Sequence, residues 1–260
     1  MNILDQIVAR KKEEVALAKQ QVSAAKLVAS ANFDRIPFVF RDFLLDPKRS
    51  GIISEFKRQS PSKGLINGTA DVITVTNAYQ EAGASALSIL TDTDFFGGRA
   101  KDLIRARASN EIPILRKDFM IDEYQILEAK AWGADLILLI ASILTPQEIA
   151  AFGKLAQSLG LSVLLEVHNL QELEKSICPH VDAIGVNNRN LGDFTVNIQT
   201  SFELVDKIPN EFLKISESAI DNPAVIKQLK AVGYQGFLIG ENFMKTQDPG
   251  LAIREFVKQL

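Results

Sequence analysis

The sequence predicts an α/β fold, a (β/α)8 barrel preceded by an N-terminal helical segment, and three observations lead there. After about residue 48, eight short apolar runs alternate with eight amphipathic segments. Strands that alternate with helices pair in parallel, because each crossover uses a helix to return the chain. No G-x-G-x-x-G follows the first run, so the usual mark of a dinucleotide-binding doubly wound sheet is missing. Eight units fit a closed barrel best. An open α/β sheet is the second choice, because strand count alone does not prove closure. At 260 residues, with no Gly/Ser or Pro tract dividing the repeats, the chain reads as one barrel domain over residues 1–260.

Residues 1–48 stand outside the repeat as a helical extension. Leu4, Ile7, Val8, Val15, Leu17, Ala18 and Val22 have partly helical spacing, and Arg10-Lys11-Lys12-Glu13-Glu14 fills a solvated polar face. The aromatic-rich PFVFRDFLLDP, Pro37 to Pro47, is expected to cover the barrel mouth. Strand-like runs follow at 52–57, 86–91, 113–117, 136–140, 162–167, 183–186, 213–216 and 236–239. Helix-like segments lie at 71–81, 101–108, 123–132, 146–159, 170–176, 200–207, 223–231 and 249–259. Thr145-Pro146 and Asn222-Pro223 put a capping residue before proline at the first helical position. Gly83, Gly133, Gly160 and Gly233 read as glycines just past helix ends.

A barrel carries its chemistry at the C-terminal ends of its strands. There the sequence gathers charge: Glu55 and Lys57, Lys117, Glu166, then Asn187-Asn188-Arg189, and Glu217-Ser218. The opposite ends show nothing comparable. Side chains alternate faces along a strand, so Glu55 and Lys57 share a side with Ile53. A structural ion pair is the bland reading, but such pairs often do no better than apolar substitutes, which favours function. Lys117 has no opposite charge on its own face, with Asp118 pointing elsewhere, so it reads as an acid or an anion-binding group. Glu166 ends an apolar run, where burial is expected to raise its pKa toward proton-transfer range. Glu217 as a turn cap and Arg189 as a solvated loop charge are equally open. Phe96 and Phe119 are candidates for an aromatic pocket, and Trp132 for core. His168 is assigned capping or packing, and His180 the surface.

Bulk properties exclude several classes. A net charge of −3 and a pI near 5.6 give no global attraction to nucleic acid or an anionic membrane. The longest apolar run, 136–144, is too short to span a bilayer, and the N-terminus lacks a signal-peptide core, so the cytoplasm is expected. One cysteine, Cys178, read as a buried small hydrophobe, and two distant histidines argue against a disulfide framework or a metal site. No cofactor is called for.

SEFKRQSPSKG, RKDFM, LLEVHN, GVNNRNL, ISESAI and LIGENFM together resemble, in order, the strand-end motifs of indole-3-glycerol-phosphate synthases. The likeness runs over essentially the whole chain. It implies ring closure of 1-(2-carboxyphenylamino)-1-deoxyribulose 5-phosphate with loss of carbon dioxide and water, in tryptophan biosynthesis. Carried over, Lys117 is the general acid at the carbonyl oxygen and Glu166 the second proton-transfer group. Lys57 supplies charge and a candidate proton in the later step, oriented by Glu55. Asn187, Glu217 and Ser218 hydrogen-bond around the reacting centre, Arg189 meets the substrate carboxylate, and Phe96 and Phe119 wall the anthranilate pocket. Ser60, Ala219, Gly240 and Glu241 fall at the phosphate, with Glu241 using its N–H; the family usually has glycine where this chain has Ala219. Association with other enzymes of that pathway has no signature in the sequence. Two rivals stand beside this reading: another phosphate-binding barrel, such as an isomerase of a phosphorylated aminosugar, and a non-catalytic barrel used for binding or assembly.

Overall fold

Eight short strands close on themselves in the computed structural model, which describes residues 3–190, 192 and 194–260. They are β1 (Ile52–Phe56), β2 (Ala86–Leu90), β3 (Ile114–Lys117), β4 (Leu136–Ile140), β5 (Ser162–Val167), β6 (Ala183–Asn187), β7 (Leu213–Glu217) and β8 (Gly236–Ile239). Each pairs in parallel with its neighbours in chain order, and β8 returns to β1 through Ile52↔Phe237 and Ile53↔Leu238. That closure settles the barrel against the open sheet.

Alternation within the strands sorts the core into two layers. Ile53, Leu115, Leu138, Leu164, Ile215 and Leu238 fill the barrel interior. Ile52, Leu87, Ile114, Ile137, Val163 and Ile184 face outward and pack under the helices. Helices α1 (Ile3–Gln21), α2 (Ala24–Val28) and α3 (Phe40–Leu44) precede β1, and the covering helices include α4 (Val72–Glu81), α5 (Ala100–Ser109), α6 (Glu123–Trp132), α7 (Pro146–Ser158), α8 (Leu170–Ser176), α9 (Gln199–Leu204) and α10 (Pro223–Ala231). The cap signals act as read. Thr145 and Glu148 form a reciprocal capping box, and the Asn222 side chain accepts from the N–H groups of Ala224 and Val225. Gly133 ends α6 at φ 91°, a left-handed conformation that costs most L-residues about 1–2 kcal/mol.

The extension departs from expectation in two places. In its first helix (Ile3–Gln21), Ile7, Lys11 and Val15 recur every fourth residue and are all buried. Lys11 is therefore not part of a solvated face. Its Nζ lies 2.9 Å from Asp92, 2.9 Å from Asp118 and 2.6 Å from Glu14. Asp92 and Asp118 follow β2 and β3, so Lys11 fixes the helix beside the C-terminal mouth. Near its start, Ile3 and Leu4, like Phe95 and Phe96, pack against the cluster that fills the barrel interior.

The segment Pro37 to Pro47 covers the opposite end. Its short helix, Phe40–Leu44, buries Phe40 and Leu44 among Ile53, Ala86, Leu136 and Leu213 at the strand starts. The side chain of Leu44 lies where a Cβ on Gly236, the first residue of β8, would sit only 3.2 Å away. Arg41 donates to the Glu211 carbonyl just before β7 at 2.9 Å. Aromatic content marked this segment as a cover, but not which open end of the barrel it closes.

Cys178 is half-buried, not fully buried as expected. Trp132 packs at the core edge with the Arg116 guanidinium stacked 4.0 Å from its ring centre. Among the described residues no helix is long and apolar enough to cross a membrane. Because Phe40 is 1% exposed at the barrel floor, Phe40→Ala should cost about 3–5 kcal/mol in urea unfolding while leaving KM unchanged. A raised KM at unchanged stability would return this segment to the mouth.

Candidate active site

At the C-terminal mouth, side chains from all eight strands or their following loops converge on one cleft. Glu55, Lys57, Lys117, Glu166, Asn187, Glu217 and Ser218 line it, with Phe96 and Phe119 on one wall and Ser60, Arg189 and Glu241 at the rim. Ala219 and Gly240 lie in an adjoining depression that shares Lys57, Arg189, Ser218 and Glu241 with the cleft. All fourteen sequence candidates therefore fall at this end of the barrel. Ser60 lies on the cleft side of the pair, apart from Ala219 and Gly240.

Lys117 closes β3 and points inward. It is not unpaired, as its own strand suggested: its Nζ sits 2.7 Å from Glu166 Oε2 and 3.3 Å from Glu217 Oε2. These partners come from β5 and β7, which strand-local alternation cannot bring together. Burial works against the ammonium, but Glu166, Glu217 and Glu55 outweigh it and hold Lys117 above the usual lysine range.

The two carboxylates diverge. Burial alone would raise Glu166, the expected direction, yet Lys117 and His168 hold it below the usual carboxylate range. Glu217 goes the other way: burial, reinforced by the nearby charges of Glu166 and Glu55, pushes it up to about 7 against the pull of Lys117. Two carboxyls pushed apart in this way are suited to different proton duties.

His168 does more than start a helix. Its Nε2 approaches Glu166 Oε1 at 3.4 Å, while Nδ1 lies 3.1 Å from Glu172. These acids raise it to about 10 although burial lowers it. The outward turn at Val167 hid this contact in the sequence.

Two glycines make room for the charges. A Cβ at Gly185 would collide with Glu217 Oε1, and one at Gly240 would lie 2.5 Å from Glu55 Oε1. Glu55 in turn holds the Lys57 ammonium at 2.7 Å. Asn187 Oδ1 accepts from the Ser218 hydroxyl at 2.9 Å and from the Arg189 N–H at 3.0 Å, tying β6 to β7. Ser218 and Ala219 both adopt positive φ, 65° and 59°, so Ala219 takes the left-handed turn that glycine would fill more easily. Glu241 turns its carboxylate toward Arg189 at 3.4 Å and Lys63 at 3.5 Å. The Phe96 and Phe119 rings meet at 5.9 Å between centres.

Leu138, Ile140, Leu238 and Phe194 also line the cleft and were not singled out from sequence. Leu138 and Ile140 sit in an unbroken apolar run, which carries no alternation to mark an inner face.

A buried ammonium set between carboxylates, an aromatic wall and a cationic rim define a barrel enzyme built for acid–base chemistry on an anionic substrate. Comparison narrows the class. Residues 4–256 match the family model for indole-3-glycerol phosphate synthase. A relative of that name from Bacteroides thetaiotaomicron is 46% identical, with 100% of this chain and 99% of the relative covered. Another, from Verminephrobacter eiseniae, is 43% identical with 97% of each covered. The chain belongs to the indole-3-glycerol phosphate synthase family, decarboxylating lyases of tryptophan biosynthesis. This sets aside both the aminosugar isomerase and the non-catalytic barrel. Solved structures at 14% identity share the fold. One described as native KDPGal has a TM-score of 0.58, covering 80% of this chain and 93% of that one. KGPDC from Streptococcus mutans has a TM-score of 0.59, covering 72% and 90%.

The raised Glu217 carboxyl has a consequence for stability. An unfolded chain releases this proton near 4.5 whereas the folded chain keeps it to about 7. The unfolded state thus binds fewer protons between these values, and this group makes stability fall as pH rises through that window. Glu217→Gln cannot ionise and should flatten that part of a urea-unfolding profile taken across pH. An unchanged slope would show that Glu217 is not the group responsible.

Proposed function

We propose that this cleft closes the ring of 1-(2-carboxyphenylamino)-1-deoxyribulose 5-phosphate, with Lys117 as the first acid. The observation that carries the assignment is the Lys117 ammonium, held by Glu166 at 2.7 Å on the floor of a cleft with one aromatic wall.

The anthranilate ring stacks along Phe96 and Phe119, and Arg189 meets its carboxylate. A ketone is a weak electrophile until its oxygen gains a proton. Lys117 supplies that proton as the ring carbon attacks, which stabilises the charge developing on oxygen. Carbon dioxide then leaves, and its bonding pair restores the aromatic ring. Glu166 handles the proton transfer of the dehydration that follows. Lys57, oriented by Glu55, holds positive charge beside the departing hydroxyl. Asn187, Ser218 and Glu217 hydrogen-bond around the same carbon; a Glu217 carboxyl near 7 is available as a donor at neutral pH.

The phosphate is assigned to the depression lined by Ser218, Ala219 and Gly240, with Lys57 and Lys245 on its wall and Ser60 on the adjoining cleft side. Support comes from the loops after β7 and β8, which commonly hold phosphate in such barrels. The Glu241 side chain turns toward Lys63 and Arg189, leaving its N–H as the contact. The biosynthetic family supports the cytoplasm as the place of work.

Supplying the carboxyphenylamino substrate and following indole absorbance tests the whole assignment. Lys117→Met should lower kcat on the order of 10²–10⁴-fold, the range for proton-transfer groups. It also leaves Glu166 and Glu217 facing each other without their cation, so stability should fall, and less so at low pH where Glu217 takes up a proton. Retention of more than about a tenth of wild-type kcat by folded protein removes Lys117 as the acid.

Crystals soaked in sulfate should show the anion beside Ser218, Ala219 and Gly240. Sulfate bound at the barrel floor, with this depression vacant, would count against the phosphate assignment.

A further inference from the structure

His168 is a strongly perturbed group at the mouth that this division of labour leaves idle. Its imidazole is half-buried between two carboxylates, Glu166 at 3.4 Å and Glu172 at 3.1 Å. It also lines a second, polar cavity, which has Asn187 in common with the main cleft, together with Glu172, Asn188, Asn190 and Thr200. His168 therefore stands between Glu166, inside the cleft, and a cavity outside it.

The reaction's own proton balance shows a use for such a position. The ketone oxygen gains one proton at ring closure, and the hydroxyl gains another to leave as water. One proton returns from carbon as the new double bond forms. The carboxylate leaves as neutral carbon dioxide, so each turnover draws one net proton from solvent. While substrate fills the main cleft, that proton needs another way in.

We propose that His168 passes this proton from the second cavity to Glu166, which delivers it to the departing hydroxyl. The proposal rests on the ring-closure reading above. In the step, the N–H bond at His168 Nε2 breaks and an O–H bond forms at Glu166 Oε1. The carboxylic acid then gives the proton to the hydroxyl as its C–O bond breaks, and water leaves. Neutral His168 keeps its Nδ1–H toward Glu172; the ring then turns over, so that this N–H faces Glu166 and the bare nitrogen takes a proton from solvent in the second cavity. The proton lost from carbon restores the Lys117 ammonium, so no charge is left over.

Timing follows from the neighbouring lysine. Before the reaction, the Lys117 charge at 2.7 Å keeps Glu166 ionised. Once Lys117 has given its proton to the ketone, that restraint is gone and Glu166 becomes the better acceptor. The charged groups facing the pair are Lys117 from β3, Glu217 from β7 and Glu172 from α8.

The test separates carbon dioxide release from indole formation in single turnovers with enzyme in excess, by rapid quench. Wild type should show the two together; if it forms no indole at all, the ring-closure reading fails instead of this one. His168→Gln keeps a hydrogen-bonding group without a titratable proton. It should release carbon dioxide at close to the wild-type rate while indole lags by about tenfold or more. In His168→Ala, added imidazole should shorten the lag. Indole keeping pace with carbon dioxide in His168→Gln overturns the proposal. So does equal slowing of both steps, or a lag in His168→Ala that imidazole leaves untouched, since each gives His168 only the task of holding Glu166.

Discussion

The ammonium of Lys117 between the carboxylates of Glu166 and Glu217 is the interaction on which the rest of this structure turns. Three ionisable groups from β3, β5 and β7 are taken out of water at the top of an apolar barrel interior. Burial on that scale is costly for each charge alone, and it is tolerated because each has a partner within hydrogen-bond reach. The surrounding sequence is shaped around this cluster. Gly185 leaves the space that the Glu217 carboxylate occupies, and Gly240 leaves the space for Glu55. Below the charges, Leu115, Leu164 and Ile215 keep the floor dry, which strengthens every electrostatic contact above them.

The same strand end is held from outside. Asp118, next to Lys117, points away from the barrel and accepts from Thr91 at 2.6 Å, while Lys11 and Arg116 keep it below the usual carboxylate range despite burial. Its other oxygen takes the Phe119 N–H at 2.8 Å. One short stretch therefore carries the inner lysine, the outer aspartate and an aromatic wall, and the first helix fixes it through Lys11. The extension belongs to the architecture of the mouth as well as to that of the floor.

Charge in this protein is local. A chain that is negative overall presents Lys57, Arg189, Lys63 and Lys245 around one depression and its rim. Glu241 pairs with Lys63 and Arg189, so its carboxylate draws on that cluster without removing it. An anionic substrate is recognised by arrangement, since net charge offers it nothing.

The fold and the address of the site were legible in the sequence because both rest on local rules. Short apolar runs, helix caps at Thr145 and Asn222, and glycines at helix ends mark the elements, with β4, β5, β8, α6, α8 and α10 bounded as read. Alternation correctly set Glu55 and Lys57 on one inner face. What the sequence could not decide was who meets whom across the barrel. Lys117 looked unpaired because its acids lie on strands 49 and 100 residues away in the chain. The direction of the Glu166 shift was misread for that reason: burial is visible in an apolar run, but the cations that overcome it are not. Lys11 looked solvated because its partners, Asp92 and Asp118, belong to loops that only the closed sheet brings to the first helix. The Pro37 to Pro47 segment was rightly marked as covering, yet its end of the barrel was fixed by packing against Ile53, Ala86 and Leu213. Local propensity and periodicity are properties of a short stretch of chain, whereas pairing, burial and pKa are properties of neighbours that closure of the barrel supplies.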